Sequence, residues 1–235
     1  MKKFFQKDWF GIKFNEFCEM NSNVLADVSF YASFYRIFFQ KFRSFSDLPE
    51  AWRHDKEQVV DFVKDWVRGD EKILSIGCGL GYVEYCLSLA CPNKIIVIEP
   101  SEGDVCRWLK DCSNISVIRG LFPDALSRGQ SFTFGYSNAL DYVFDQEDFF
   151  FFLSEVRKRV SEFLLFSASF DNDNLIANAK YLIKIACAAC GFFYPGQFWG
   201  YLRTRKEYQR AFYKAGFKNI EDGFLSNGTY WIKGR

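Results

Sequence analysis

The chain has 235 residues, of which 49% are hydrophobic and 25% are charged, and its formal net charge is +1. These values fit a soluble globular chain with one sizeable core, and the balanced charge argues against nucleic acid as a partner. No apolar run approaches the ~20 residues of a membrane span, and scattered cysteines without an export signal predict reduced thiols and a cytoplasmic protein.

Residues 1–68 are predicted to form an N-terminal aromatic helical cap. Aromatic side chains recur at spacings of about four within 30–39, and a second helix is predicted over 55–67, with Gly69 as its C-cap. Aromatic residues make up 20% of the chain. They predict a Phe-rich core, with an apolar substrate pocket or a homodimer interface as alternatives.

From residue 69 to residue 235, strand-like and helix-like segments alternate. Strands are predicted at 73–76, 94–99, 116–119, 132–137 and 162–169. Helices are predicted at 81–90, 103–112, 148–160 and 175–189. This alternation is typical of an α/β domain, in which helices cover both faces of a mainly parallel sheet.

The C-terminal segment has a different pattern. Thr204 and Glu207 form a capping box that starts a helix ending near Gly216. Two strand-like segments follow at 218–221 and 229–233, and Asn227-Gly228 between them favours a turn. The sequence therefore predicts a terminal hairpin that adds an antiparallel strand to the sheet.

A glycine-rich loop follows the first predicted strand of the α/β region. Gly77, Gly79 and Gly81 lie between a strand and a helix, where the backbone can turn sharply and admit a ligand. Glu99 ends the next strand, where an acid can accept hydrogen bonds from a ribose diol. The dinucleotide pattern G-x-G-x-x-G is not met, because Tyr82 occupies its third glycine position, and no G-K-[ST] follows the glycines.

The segment Ile73-Leu-Ser-Ile-Gly-Cys-Gly-Leu-Gly81 resembles motif I of the class I methyltransferases, which use S-adenosylmethionine (SAM). Residues 95–100 resemble the second motif of that family, and residues 132–145 resemble the fourth. The order and spacing of the motifs cover most of the chain after Ile73. The resemblance implies a doubly wound, seven-stranded sheet with one reversed strand.

The resemblance also implies where SAM would lie. Its methionine end would cover the glycine loop, its ribose would meet Glu99, and its adenine would lie near residues 100–101 and 120–122. The cofactor contacts implied are Gly77, Cys78, Gly79, Gly81, Glu99, Pro100, Ser101, Gly120, Leu121, Phe122, Asn138 and Ala139. The chain departs from the family pattern at Ser75, where most members have an acid, at Leu121, where an Asp is common, and at Tyr142, where a His is common.

Three residues are candidates for catalysis. His54 is the only histidine and lies in the predicted cap, and an imidazole is the one side chain that titrates near neutrality without help. Asp141 and Tyr142 follow the fourth predicted strand, at the sheet edge where open α/β sheets bind ligands.

Tyr194, Trp199 and Arg203 are candidates for acceptor binding, since aromatic faces beside a cation suit sugars and anions alike. Cys187-Ala-Ala-Cys190 has the spacing of half a metal site, but no second pair completes it, so no metal is predicted. The absence of an N-P-P-Y or D-P-P-Y segment further disfavours a nucleic-acid substrate.

The sequence thus predicts a SAM-dependent methyltransferase. The reaction expected is methyl transfer to an oxygen, less readily a nitrogen, of a small-molecule or glycan-type acceptor, for which surface-polysaccharide synthesis is one context. The alternative is a non-catalytic methyltransferase-like protein that binds a nucleoside or a partner.

Overall fold

The computed structural model describes residues 1–69, 71–101 and 105–235. Its helices are α1 (Val28–Lys41), α2 (Glu50–Lys64), α3 (Tyr82–Ala90), α4 (Gln146–Arg159), α5 (Leu175–Ala189) and α6 (Arg205–Lys214). Its strands before the glycine loop are β1 (Lys2–Gln6), β2 (Asp8–Trp9), β3 (Ile12–Lys13) and β4 (Ile73–Ile76). The later strands are β5 (Ile95–Glu99), β6 (Ile115–Arg119), β7 (Phe132–Asn138), β8 (Val160–Phe166), β9 (Phe170–Asp171), β10 (Gln197–Thr204), β11 (Glu221–Phe224) and β12 (Tyr230–Gly234).

The main sheet has seven strands in the order β11-β12-β8-β7-β4-β5-β6. Its neighbouring strands pair in parallel except at β12, which is antiparallel to both β8 and β11. The doubly wound sheet with a C-terminal antiparallel hairpin, predicted from the alternation of elements, is therefore confirmed. The strand order reverses beside β4, so the chain leaves β4 and β7 in opposite directions and opens a crevice at their carboxyl ends.

The central strands are buried because both of their faces are covered. All four residues of β4 and all five of β5 are buried, and the strand sequences Ile-Leu-Ser-Ile and Ile-Ile-Val-Ile-Glu are apolar except at Ser75 and Glu99. One apolar cluster lies between the sheet, α4 and α6, and another lies between the sheet, α2 and α3. These two apolar layers hold the sheet in place, and the crevice opens at its carboxyl edge.

Helix ends follow the capping chemistry of the sequence. Asp145 accepts from the amides of Glu147 and Asp148 at the start of α4, and the predicted capping box of Thr204 and Glu207 starts α6. The helix predicted over 103–112 falls partly outside the described residues, and the described part contains only a short 3₁₀ turn at Arg107–Leu109. The first strand of the terminal hairpin begins three residues later than predicted, at Glu221.

The N-terminal segment is less helical than the sequence predicts. Two helices occur near the predicted positions, but the residues before them form β1 and the small hairpin β2–β3. β1 pairs antiparallel with β10, and a register shift interrupts the pairing between Phe4 and Phe5. This pairing joins β1 to a strand nearly 200 residues later in the chain. It holds the N-terminal cap in position over the crevice.

An aromatic cluster fills the cap. It includes Phe14, Phe30 and Phe34, and Trp199 of β10 stacks on Phe14 with ring centroids 5.0 Å apart and planes 10° apart. These rings are buried, so much of the chain's aromatic content serves as core.

Candidate functional site

A cavity of about 650 Å³ lies between the carboxyl ends of β4, β5 and β7 and the aromatic cap. Its volume is within the range of small-molecule and cofactor sites. The glycine loop forms one wall, and α1, α2 and β10 contribute side chains to the other. The candidate cofactor residues that line it are Gly77, Cys78, Gly79, Glu99, Pro100, Ser101, Leu121, Phe122, Asn138 and Ala139.

The glycine loop adopts a conformation that other residues rarely take. Gly77 and Gly79 have φ angles of +73° and +55°. A Cβ on Gly77 would lie 2.8 Å from the side chain of Leu140, and a Cβ on Gly79 would lie 3.1 Å from the Tyr35 hydroxyl. The loop therefore leaves a bare backbone surface on the cavity, and a side chain at either position would strain it.

Gly81 supports the loop from outside the cavity lining. It precedes α3 as its N-cap with a φ of +79°, and a Cβ there would lie 2.5 Å from Leu109. The chain can therefore turn into α3 close beside Leu109, and the first amides of the helix follow directly after the loop.

Glu99 joins the loop to the end of β5. The Gly79 amide donates to Glu99 Oε2 (2.8 Å), and the Ser101 amide donates to Glu99 Oε1 (3.0 Å). The carboxylate is only 4% exposed, yet it lines the cavity. Each oxygen keeps acceptor capacity, so the pair can bind two neighbouring hydroxyl groups, as the sequence predicts for a ribose.

Ser75 lies next to a carboxylate supplied by another element. Its hydroxyl donates to Glu84 Oε1 (2.6 Å), and the Tyr136 hydroxyl donates to the same oxygen (2.8 Å). Glu84 lies on α3 and is 1% exposed, and burial raises its pKa. An acid thus lies behind the loop although the strand itself carries a serine.

Tyrosines and a tryptophan close the cavity over the sheet edge. The Tyr31 hydroxyl of α1 and the Tyr142 hydroxyl lie 2.8 Å apart, and the Tyr142 ring is parallel to that of Trp199 within 6°. Burial raises the pKa of both Tyr31 and Tyr142, so both phenols are protonated at neutral pH. They can donate hydrogen bonds but cannot remove a proton from a ligand.

Lys56 places a cation in the cavity. Its ammonium on α2 donates to Asn138 Oδ1 (3.3 Å) and lies 5.8 Å from the centre of the Trp52 ring. Among the described residues, no carboxylate forms an ion pair with it. Burial lowers the pKa of Lys56 to about 8, although Asp55, Glu84 and Asp141 act in the opposite direction. A sizeable fraction of the amine is therefore neutral slightly above pH 7.

Two predicted catalytic residues lie away from the cavity surface. His54 is on the outer side of α2, where its side chain is 71% exposed and its Nδ1 is 3.8 Å from Glu57. Asp141 is fully buried, and its carboxylate accepts hydrogen bonds from the Ala168 amide, the Ser167 hydroxyl and the Tyr208 hydroxyl. Of the three predicted catalytic residues, only Tyr142 lines the cavity.

The predicted acceptor-binding residues are also separated. Trp199 lines the cavity, whereas Tyr194 is 41% exposed on the loop after α5. Arg203 is fully buried and donates to the backbone carbonyl oxygens of Asp141, Phe144 and Asp145. It holds the turn after β7 against β10. Gly120, a predicted cofactor contact, lies just behind Leu121 at the end of β6 and does not line the cavity.

Sequence reasoning missed Lys56, Tyr31 and Tyr35. Lys56 lies three and four residues before Val59 and Val60 on the apolar face of α2, which was the available signal, because a lysine on a buried stripe is unusual. Tyr31 and Tyr35 belong to the recognised aromatic stripe, but nothing in their spacing separates the cavity wall from the core.

Comparison with solved structures gives matches to methyltransferases. A provisionally assigned O-methyltransferase of Nostoc punctiforme aligns with 87% of this chain and 59% of its own, at a TM-score of 0.60 and 15% identity. Human N-acetylserotonin methyltransferase, solved with SAM, aligns with 89% of this chain and 56% of its own, at a TM-score of 0.58 and 15% identity.

Magnesium protoporphyrin IX methyltransferase of Synechocystis, solved with bound SAH, aligns with 77% of this chain and 82% of its own, at a TM-score of 0.57 and 17% identity. The chain has the fold of the class I methyltransferases. It spans about three-fifths of the length of the first two of these proteins. No family model matches the sequence, and no curated protein matches it either.

Proposed function

We propose that this protein binds SAM in the cavity and transfers its methyl group to an oxygen of a small acceptor. The observation that carries the proposal is the position of the glycine loop and Glu99 on one cavity wall, at the carboxyl edge where open α/β sheets bind ligands. The bare backbone at Gly77 and Gly79 and the paired oxygens of Glu99 fit the methionine and ribose ends of SAM.

SAM supplies a methyl group on a sulfonium, which reacts with a nucleophile without further activation of the carbon. The protein's task is then to hold the acceptor in line with the methyl group and to exclude water. Tyr31, Tyr142 and Trp199 suit this task, because they form an apolar wall whose two hydroxyl groups can orient a polar acceptor.

A hydroxyl acceptor must also lose its proton. Lys56 is the group we assign to this step, because its amine faces the cavity and its pKa is about 8. His54 and Asp141 are less suited, since one is on the outer face of α2 and the other is saturated with buried hydrogen bonds.

The acceptor is a small molecule or the terminal unit of a glycan, since about 650 Å³ must hold both cofactor and acceptor. The surface-polysaccharide context stays a hypothesis. The aromatic residues of the cap pack largely on one another, as the predicted Phe-rich core does.

The test is label transfer from methyl-labelled SAM to a panel of small phenols, alcohols, carboxylic acids and monosaccharides. We expect a labelled product from at least one oxygen acceptor, and a strong loss of rate in Lys56→Gln for a hydroxyl acceptor. Lys64→Gln is the matched control, because Lys64 lies on the same helix, is exposed and pairs with Asp61. SAM binding without transfer to any member would instead favour a non-catalytic nucleoside-binding protein.

A further inference from the structure

Helix α5 carries an apolar face that no part of the described chain covers. Leu175, Ile176, Leu182 and Ile183 are between 63% and 84% exposed, and Phe192 on the loop after the helix is 81% exposed. None of the residues of α5 is fully buried. A cluster of large exposed side chains of this kind marks an interaction surface.

The opposite face of α5 holds the helix to the body. The Tyr181 hydroxyl accepts from the Lys3 amide (2.8 Å) and Asn178 accepts from the Lys2 ammonium, so the helix lies against β1. At 100° per residue, Asn178, Tyr181 and Ile185 share this inner face, whereas Ile176, Ala179 and Ile183 share the outer one. Leu175 and Leu182 lie between these two faces, so the exposed apolar residues form a band about 120° wide along the helix.

The helix α5 itself carries charge of one sign. No Asp or Glu occurs between Asp173 and Glu207 in the sequence. Lys180 and Lys184 lie along one flank of the outer face and are exposed. Asp171, just before the helix, is already paired with Lys2 (2.6 Å). The outer face of α5 thus combines apolar side chains with two lysines, and an exposed acid, Glu19, lies near Tyr194 after the helix.

We propose that the outer face of α5, with Phe192, Phe193 and Tyr194, docks on the surface of an anionic lipid bilayer. Apolar residues flanked by lysines are the pattern of helices that lie in the membrane interface, where the apolar side chains enter the acyl boundary and the amines reach the headgroups. Aromatic rings at the helix end suit the headgroup level.

A second copy of the chain fits this surface less well. In a two-fold contact through the outer face of α5, Lys180 and Lys184 would lie near their own copies, and no acid of the helix would offset their charge. Anionic headgroups supply that charge. The inference is independent of the proposed methyl transfer, because it uses no residue of the cavity.

The test is co-sedimentation of the full chain with vesicles of phosphatidylcholine, alone or with about 30 mol% phosphatidylserine. We expect binding to the phosphatidylserine vesicles only. The double variant Lys180→Gln/Lys184→Gln should bind at least about tenfold more weakly, since each lysine near an anionic surface contributes on the order of fivefold. Ile176→Asn/Ile183→Asn should lose binding.

Tyr213→Asn is the matched control, because Tyr213 is 77% exposed on α6 and should not affect binding. Circular dichroism of each variant checks folding, which substitution of exposed residues should leave intact. Absence of binding to phosphatidylserine vesicles would overturn the proposal. So would a dimer in sedimentation velocity that Ile176→Asn/Ile183→Asn abolishes, which would assign the face to a second copy.

Discussion

Arg203, a candidate for binding an anionic acceptor, stabilises the backbone in the structure. Its guanidinium donates to three backbone carbonyl oxygens in the turn after β7, and its Cζ atom lies 4.2 Å from the centre of the Phe149 ring. An anionic acceptor could reach it only if this turn opened. Burial and local hydrogen bonds therefore indicate a structural role.

We predict that Arg203→Leu lowers the free energy of unfolding by about 3 kcal/mol, because it leaves buried carbonyl oxygens without donors. Thermal unfolding should show a clearly lower midpoint. Lys64→Leu is the control, because Lys64 pairs with Asp61 at the surface and should shift the midpoint much less. An unchanged midpoint in Arg203→Leu, together with weaker acceptor binding, would restore the substrate role predicted from the sequence.

Lys56 predicts the pH dependence of the reaction. Burial lowers the pKa of its amine to about 8, so the ammonium loses its proton as the pH rises through that value. If the neutral amine accepts the proton of a hydroxyl acceptor, kcat/KM should rise with pH and level off above about 8. The inflection should vanish in Lys56→Gln and persist in Lys64→Gln. A profile that falls with pH, or is unchanged in Lys56→Gln, would remove Lys56 from this role.

At the scale of elements, β10 holds the cap against the site. It carries Trp199, pairs with β1 and passes close to the backbone of Tyr142, where a Cβ on Gly200 would lie 2.4 Å from the Tyr142 carbonyl oxygen. Only a glycine permits this approach. The cap, the cavity wall and the turn after β7 thus depend on one strand.

We expect Gly200→Ala to destabilise the fold by about 2 kcal/mol and to weaken ligand binding in the cavity, because the strand must move away from Tyr142. Urea unfolding and calorimetry with SAM measure the two effects. Gly223→Ala is the comparison, since its Cβ would meet side-chain ring atoms of Trp231 at 3.1 Å and no backbone atom. Equal effects of the two substitutions would show that the approach of β10 to Tyr142 is not a constraint.

The elements that the sequence predicted well are those set by local pattern. Apolar strands such as β5, the capping box of α6 and the glycine turn follow from residues within a few positions of one another, so the sheet and the loop could be predicted. The pairing of β1 with β10 could not be predicted. It joins segments far apart in sequence, and neither segment has a pattern that identifies the strand it pairs with.

The same reason explains the mixed outcome at the site. Glu99 and the loop lie at strand ends, which fixes their position once the sheet is known. Whether Asp141 reaches the cavity or is buried depends on Ser167 and Tyr208, which come from other elements. The position of His54 on the outer side of α2 depends on how that helix is rotated against α3.

At the scale of the whole molecule, the chain combines a parallel sheet with a cap that closes over its carboxyl edge. Within the described residues, no helix is both long and apolar enough to cross a membrane. The cavity at the sheet edge and the apolar face of α5 are separate surfaces on one body. The proposed function depends first on whether the cavity binds SAM.

Titration calorimetry with SAM and with its demethylated product tests this claim most directly. We predict that the wild-type chain binds both, and that Glu99→Gln weakens both about tenfold to a hundredfold, because charge-assisted hydrogen bonds to the ribose are lost. Glu147→Gln, at an exposed position on α4, should bind like the wild type. No heat of binding for either ligand, or equal affinity in Glu99→Gln and wild type, would contradict the account.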